Sequence, residues 1–184
     1  MSAKFKNKYR VESARLKNWD YGWNASYFVT ICTKNRIYFF GNVVDDEMIL
    51  NDIGLIADNC WLQIPEHFPF VKLGEHVVMP NHVHGIVIIG KSDDNRPVET
   101  QNFASLQRNQ QPPSPNKFGP QSRNLASIIR GFKIGVTTDA RLINPGFAWQ
   151  SRYHDHIIRD NESFERISAY IKNNSANWKK DKFY

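Results

Sequence analysis

The chain has 184 residues, 41% of them hydrophobic, a length that suits one compact domain with a sizeable core. It carries 24 lysines and arginines against 18 aspartates and glutamates, and the net charge of +6 by itself favours a polyanionic partner only weakly. No apolar run approaches the roughly 20 residues of a membrane-spanning helix, and no apolar stretch follows the basic N-terminus as in a signal peptide. We therefore expect no membrane association and a cytoplasmic location.

The first half of the chain shows both strand and helix patterns. β-Branched and aromatic residues predict a strand over 26–33, and apolar residues at helical spacing predict a helix over 51–64. A second strand is expected over 70–79, with Gly74 as a bulge. The third opens at His82 after a short turn, so these two strands most simply form an antiparallel pair.

A polar insertion interrupts the second half of the chain. Residues 91–122 are rich in Pro, Gln and Asn and have few apolar anchors, so we expect a mobile segment. Beyond it, Ser122 or Asn124 is positioned to cap a helix. An extended segment is expected over 147–158. Asp160 is then expected to cap a final helix from about Glu162 to Trp178.

This order of elements indicates the fold class. Strand, helix, strand, strand, helix, strand and helix follow one another within a single domain that spans 1–184, with the polar insertion inside it. Such an order predicts an α+β sandwich, in which an antiparallel sheet has helices packed mainly on one face.

Two histidines open the third predicted strand, in the sequence His82-Val83-His84. Side chains two residues apart in a strand point to the same face, so both imidazoles project from one surface. Neutral imidazoles at this spacing are good ligands for a divalent ion. The pair opens an otherwise apolar run, where polar rings need partners to offset their desolvation. The pattern therefore predicts either a metal site or a hydrogen-bonded structural pair.

The final helix carries a second informative arrangement. Asn174 falls inside its apolar stripe, and Tyr170 lies one turn earlier, so the two side chains are neighbours. If this helix packs beside the histidine strand, Asn174 can supply a carbonyl oxygen as a third metal ligand and Tyr170 can present its hydroxyl. The alternative is that Asn174 bonds a backbone group and Tyr170 is a half-buried packing residue.

Basic and aromatic residues are interleaved at both ends of the chain. Basic side chains can follow phosphates while aromatic rings stack on bases, a combination that suits single-stranded nucleic acid. The predicted helix after the insertion adds further positive charge on its polar faces. The candidate DNA contacts are Arg123, Arg130, Lys133, Arg152 and Lys172.

Three segments in this order resemble the single-tyrosine HUH transposases, within the IS200-like and REP-associated tyrosine transposase group. They are Met-Pro-Asn-His-Val-His over 79–84, Trp-Gln-Ser-Arg-Tyr-His-Asp-His-Ile-Ile-Arg over 149–159, and Tyr-Ile-Lys-Asn-Asn over 170–174. The resemblance extends over most of the chain between Tyr27 and Trp178, apart from the polar insertion.

The resemblance implies a ferredoxin-like fold, a homodimer and a nucleoid-associated enzyme of DNA transposition and recombination. Its partner would be single-stranded or hairpin DNA, cleaved and rejoined with Mg²⁺ or Mn²⁺ through a 5′-phosphotyrosine. It also implies that His82 and His84 bind the metal, that Tyr170 is the nucleophile, and that Asn174 is the third ligand.

Several alternatives remain open at the level of the sequence. Tyr153 is a rival nucleophile beside the polar residues that follow it, and His154 with His156 is a rival histidine pair. The protein could instead be a domesticated binder of single-stranded or hairpin DNA without strand transfer. A metal-dependent hydrolase that activates water is a third reading, and it predicts no covalent adduct.

Overall fold

The computed structural model describes residues 19–91, 122–180 and 183. The basic N-terminal run and nearly all of the polar insertion, whose mobility was predicted, lie outside the described residues. Among the helices in the described ranges, none is long and apolar enough to cross a membrane.

Four antiparallel strands form the central sheet, and a separate two-stranded hairpin lies apart from it. The order across the central sheet is β4-β5-β1-β6, and β2 pairs with β3 in the hairpin. The strands are β1 (Ala25–Cys32), β2 (Gly41–Val44), β3 (Glu47–Leu50), β4 (Val71–Met79), β5 (His82–Ile89) and β6 (His154–Ile158).

Helices cover both faces of the sheet, with the first and third helices on one face and the last on the other. They are α1 (Asp52–Leu62), α2 (Ile64–His67), α3 (Leu125–Ile143) and α4 (Asn161–Lys172), with 3₁₀ turns at Lys34–Arg36 and Trp178–Lys180. The chain order β1-α1-β4-β5-α3-β6 and the sheet order together give the ferredoxin-like arrangement. The predicted α+β fold class is confirmed.

The alternation of side chains along β5 divides the molecule into two layers. Val83, Gly85 and Val87 point towards α1 and α3, where the main hydrophobic core lies, and we call this side the helix face. His82 and His84 point to the opposite side, which we call the site face. There α4 packs on β4 and β5.

Polar side chains fix the starts of the helices. Asn124 caps α3 and forms a reciprocal capping box with Ser127, while Ser122 takes no part. Asp160 caps α4 by accepting a hydrogen bond from the Ser163 amide, and this bond lowers the pKa of its carboxyl group. The predicted caps at Asn124 and Asp160 are therefore confirmed.

The last helix is shorter than predicted. It ends at Lys172 rather than continuing to Trp178. The Asn173 side chain donates to the Ala169 carbonyl, and the backbone N–H of Asn174 donates to the carbonyl of Ile171, three residues back, instead of four residues back as in an α-helix. Asparagine side chains compete with the backbone in this way and weaken helices. Asn174 thus lies in a turn after α4 rather than on the helix.

Two further differences concern extended segments. The strand predicted within the extended segment over 147–158 is present but shorter than the segment, since only His154–Ile158 pairs in β6 and Trp149 makes an isolated bridge to Thr33. The hairpin of β2 and β3 had not been predicted. Asp45 and Asp46, which form its turn, both adopt positive φ angles, of 49° and 63°. Aspartate tolerates this conformation, but its sequence signal is weaker than that of glycine.

On the helix face of β5, position 85 has no room for a side chain. The buried indole of Trp61 on α1 occupies the space where a Cβ on Gly85 would lie. Backbone and indole are thus in direct contact under the histidine strand. The predicted bulge at Gly74 is also present, as a shift in the pairing of β4 with β5 between Leu73 and His76.

We predict that Gly85→Ala destabilises the fold by about 1–3 kcal/mol, because the added methyl group overlaps the Trp61 ring and forces repacking. Gly90→Ala is the matched control, since nothing lies within 4 Å of a Cβ built there. Urea denaturation of both variants measures the difference. Equal midpoints for the two variants would show that the Trp61 contact imposes no constraint.

Candidate active site

His82 and His84 are both buried and form a close pair at the start of β5. Their exposed fractions are 0% and 1%. Their ring centroids are 4.3 Å apart and the ring planes are inclined by 69°. The predicted same-face arrangement of the two imidazoles is therefore present in the structure.

Each imidazole has a hydrogen-bond partner at Nδ1. Asn81 Oδ1 lies 2.9 Å from Nδ1 of His82, and Thr30 Oγ1 on β1 lies 2.9 Å from Nδ1 of His84. Thr30 and His84 are directly paired across β1 and β5, so the sheet itself fixes this contact. With both Nδ1 atoms engaged, Nε2 is the nitrogen that each ring can offer to a ligand.

Tyr170 brings a hydroxyl group to this pair from the last helix. Its Oη atom lies 3.3 Å from Nε2 of His84. Its ring packs edge-on against Phe28 of β1 and against His84, with centroid distances of 6.1 Å and 5.4 Å. Its exposed fraction of 42% leaves it accessible from solvent. The packing of α4 on the sheet thus joins two motifs that lie far apart in sequence.

Asn174 is buried in the short segment between two residues that lie beside the histidines. Tyr170 precedes it and touches His84, while Trp178 follows it and lies 5.8 Å from His82 between ring centroids. Asn174 is 1% exposed, and its Oδ1 atom is buried. The residue keeps the buried position predicted for it, although the helix has ended before it.

The C-terminal tail closes the other side of the pair. The Phe183 ring lies 4.7 Å from that of His82 and 5.9 Å from that of His84, with the Arg36 guanidinium 5.1 Å over its centroid. The Phe183 carbonyl accepts a hydrogen bond of 2.8 Å from Asn81 Nδ2. Among these residues, only Asn81 could be expected near the histidines from the sequence, because it directly precedes His82.

His82 and His84 would offer a divalent ion two neutral nitrogen ligands. Within residues 19–91, 122–180 and 183, no group of three or more His, Cys, Asp or Glu side chains could hold a metal. A third protein ligand beside His82 and His84 would therefore be a neutral oxygen, and the Asn174 amide is the buried candidate. Two nitrogen donors suit Mn²⁺ better than Mg²⁺, which prefers oxygen ligands.

The rival nucleophile lies on the other side of the sheet. Tyr153 packs against the hydrophobic core of the helix face and lines a groove along α3 with Arg130 and Lys133. The second histidine pair is different. His154 and His156 are exposed on β6, and their pairing with Thr30 and Phe28 of β1 puts them on the site face.

The structure does not bring the predicted DNA contacts together with the histidine pair. Arg130 and Lys133 lie on α3, across the sheet from Tyr170. Lys133 Nζ donates to the carbonyls of Gln150 and Arg152, at 2.7 Å and 3.1 Å, and desolvation lowers its pKa to about 8. Two of its N–H groups are therefore already used within the protein, which leaves Lys133 poorly placed as a phosphate contact.

The other predicted contacts are scattered. Arg123 precedes α3 and lies 5.4 Å over the Phe70 ring. Lys172 ends α4 and forms an ion pair of 3.0 Å with Glu75 of β4. Arg152 is exposed before β6. A role in DNA binding stays a prediction for all five residues.

Comparison with known structures identifies the fold class. The chain aligns with the solved structure of a REP-associated tyrosine transposase bound to a REP hairpin, with a TM-score of 0.57 and 18% identity, over 92% of this chain and 74% of that one. The chain therefore has the fold of the tyrosine transposases. No protein-family model matches it.

Sequence comparison identifies the family of the chain. It is 40% identical over 176 residues to an uncharacterised protein of Haemophilus influenzae, covering 94% of this chain and 92% of that protein, and it belongs to the same family. A second H. influenzae protein, described as a "Putative REP-associated tyrosine transposase", is 24% identical over 141 residues, 76% of this chain and 69% of its own length. The resemblance to this group of transposases, predicted from three motifs, is confirmed.

The opposite placement of α3 and α4 leads to a prediction about the face that binds DNA. Arg166 is exposed on α4 one turn before Tyr170, so a DNA strand bound at Tyr170 would pass close to it. We expect Arg166→Glu to weaken binding of a single-stranded oligonucleotide and to reduce the slope of log affinity against log salt by about 1. Fluorescence anisotropy at several salt concentrations measures both quantities.

Arg130→Glu is the matched control, an exposed helical arginine on the opposite face. It should change affinity and salt slope less than Arg166→Glu does. A larger effect of Arg130→Glu would instead place the DNA along α3, as the sequence suggested.

Proposed function

We propose that this protein is a metal-dependent single-stranded DNA transposase and endonuclease, which cleaves and rejoins strands through a 5′-phosphotyrosine intermediate. One observation carries the proposal, the 3.3 Å separation of the Tyr170 hydroxyl from Nε2 of His84. The hydroxyl of a partly exposed tyrosine is thereby adjacent to a potential metal-binding nitrogen of a buried histidine.

The chain's residues define the covalent step. Tyr170 Oη attacks the phosphorus of a phosphodiester and loses its proton to water, and a new bond forms between phosphorus and the phenolic oxygen. The bond from phosphorus to the 3′ oxygen breaks, and this oxygen leaves as a free 3′-hydroxyl after taking a proton from water. The 5′ end stays attached to the protein, so the bond energy is conserved for rejoining.

His82, His84 and the Asn174 amide are the residues that would hold a divalent ion. A bound Mn²⁺ or Mg²⁺ would neutralise charge that develops on the phosphate and orient it for in-line attack. Thr30 and Asn81 support this role by engaging the Nδ1 atoms, which directs Nε2 of each ring towards a ligand.

The surroundings of Tyr170 support its role as the nucleophile. Phe28 and His84 hold its ring from two sides, so the hydroxyl has a defined direction. Phe28 lies on the same face of the sheet and offers a flat ring to a base. Strand exchange between two ends would employ two such sites, so we propose that the protein acts as a homodimer associated with the nucleoid.

Two other functions make distinct predictions for the same experiment. A domesticated binder would recognise single-stranded or hairpin DNA without cutting it. A hydrolase that uses an activated water would cut the strand without becoming attached. Only the proposed function yields a protein–DNA adduct that survives denaturation.

We predict that the wild-type protein, incubated with a pool of labelled hairpin oligonucleotides and Mn²⁺, forms such an adduct, and that Tyr170→Phe abolishes it. The variant keeps the ring and its packing but deletes the attacking oxygen, so DNA binding should be retained. Tyr153→Phe is the matched control and should still form the adduct. Mass spectrometry of the trapped peptide locates the attachment, and DNA linked to Tyr153 would overturn the assignment of the nucleophile.

We also predict that His82→Ala and His84→Ala each slow adduct formation at least about 100-fold at limiting Mn²⁺, because loss of a metal ligand removes several kcal/mol of charge stabilisation. The second histidine pair offers the control: His154→Ala and His156→Ala remove exposed imidazoles from the same face of the sheet. If all four variants react alike, the buried pair has no special part in the chemistry. Rates are read from quenched gel assays.

A further inference from the structure

Asn81 is a buried residue with a side chain that bonds in two directions. It lies in the two-residue turn between β4 and β5, directly before His82, and is 1% exposed. Its amide oxygen faces the His82 ring, and its amide nitrogen faces two backbone carbonyls. Because the two ends of an amide have different hydrogen-bonding capacity, these contacts determine what the imidazole must do.

The two carbonyls fix the orientation of the amide. Nδ2 of Asn81 lies 2.8 Å from the Phe183 carbonyl oxygen and 3.3 Å from that of Arg36. A carbonyl oxygen can only accept, so the group that faces both of them must be the NH₂ group. An inverted amide would bring its oxygen against both carbonyls and lose both hydrogen bonds.

The orientation of the amide then decides the protonation of the imidazole. Oδ1 of Asn81 lies 2.9 Å from Nδ1 of His82 and carries no proton. Nδ1 of His82 must therefore be the donor in this bond. A neutral imidazole has one N–H group, so the lone pair resides on Nε2.

We propose that Asn81 is a positioning residue that locks His82 in the tautomer with the proton on Nδ1 and the ligand-binding lone pair on Nε2. The consequence for metal binding rests on the proposed function, in which His82 is a ligand. The tautomer itself follows from the contacts of Asn81 alone.

The contact with Thr30 does not determine the tautomer of His84. A threonine hydroxyl can donate or accept, so the 2.9 Å contact with Nδ1 is compatible with either tautomer of His84. The Tyr170 hydroxyl at Nε2 of His84 is equally permissive. Of the two histidines, His82 is thus the one whose proton is assigned by a partner that can only accept.

The test is a long-range ¹H–¹⁵N correlation spectrum of the uniformly ¹⁵N-labelled protein without metal, at neutral pH. We expect wild-type His82 to show the proton on Nδ1 and the lone pair on Nε2. In Asn81→Ala, the His82 signals should shift towards the other tautomer or to an average of the two. Titration with Mn²⁺, followed by electron paramagnetic resonance, should show an affinity about 10- to 100-fold lower than in the wild type.

Asn177→Ala is the matched control. It removes an exposed amide that also donates to a backbone carbonyl, that of Asn173 at 2.9 Å, but it does not touch an imidazole. Its His82 signals and Mn²⁺ affinity should equal those of the wild type. Denaturation curves of both variants record how much of any change reflects stability.

Two results would overturn the proposal. One is a proton on Nε2 of His82 in the wild-type spectrum, which decides the matter even if Asn81→Ala does not fold. The other is an Asn81→Ala protein with an unchanged tautomer. Neither depends on DNA cleavage, because a wild-type protein that forms no adduct would refute the proposed function while its spectrum still tested the tautomer.

Discussion

The register of β5 between β1 and β4 is the constraint on which the rest of the structure depends. It places His84 opposite Thr30 on one side and Val77 on the other, and it puts Gly85 under Trp61. A slip by one residue would turn both imidazoles into the apolar core and expose the valines. The short turn at Pro80-Asn81 and the indole against Gly85 both oppose such a slip, so packing on the helix face holds the chemistry on the site face in place.

Both imidazoles can be buried on the site face because each one has a hydrogen-bond partner. A buried polar group that loses its hydrogen bond costs about 1–3 kcal/mol, a substantial part of the stability of a domain of this size. Asn81 and Thr30 offset this cost at Nδ1, while aromatic rings from β1, α4 and the tail exclude water from the remaining sides. The same contacts that stabilise the buried pair also orient its rings, so one set of interactions serves both the stability of the fold and the geometry of the candidate site.

The two faces of the sheet differ in what packs against them. The helix face holds the larger hydrophobic core, with α1 packed on α3 and the buried rings of Trp61 and Phe132 between them. The site face has a smaller hydrophobic cluster, formed by Ile86, Ile158 and Ile171, and carries the partly exposed Tyr170. This division explains why the side chain of Tyr153 points away from those of His154 and His156, although the residues are close in sequence. Tyr153 packs with the core of the helix face, whereas both histidines lie on the site face.

The sequence by itself determined most of the local elements and predicted which residues form the candidate site. Strand periodicity placed His82 and His84 on one face, and the polarity of Asn174 within an apolar pattern marked it as buried, since both properties depend on nearest neighbours along the chain. Tertiary structure alone decided which elements meet: that α4 packs on the histidine face, that Tyr153 faces away, that α4 ends before Asn174, and that Thr30 and Phe183 complete the pocket. These contacts join residues far apart in sequence, and they result from the packing of whole layers, which no local pattern encodes.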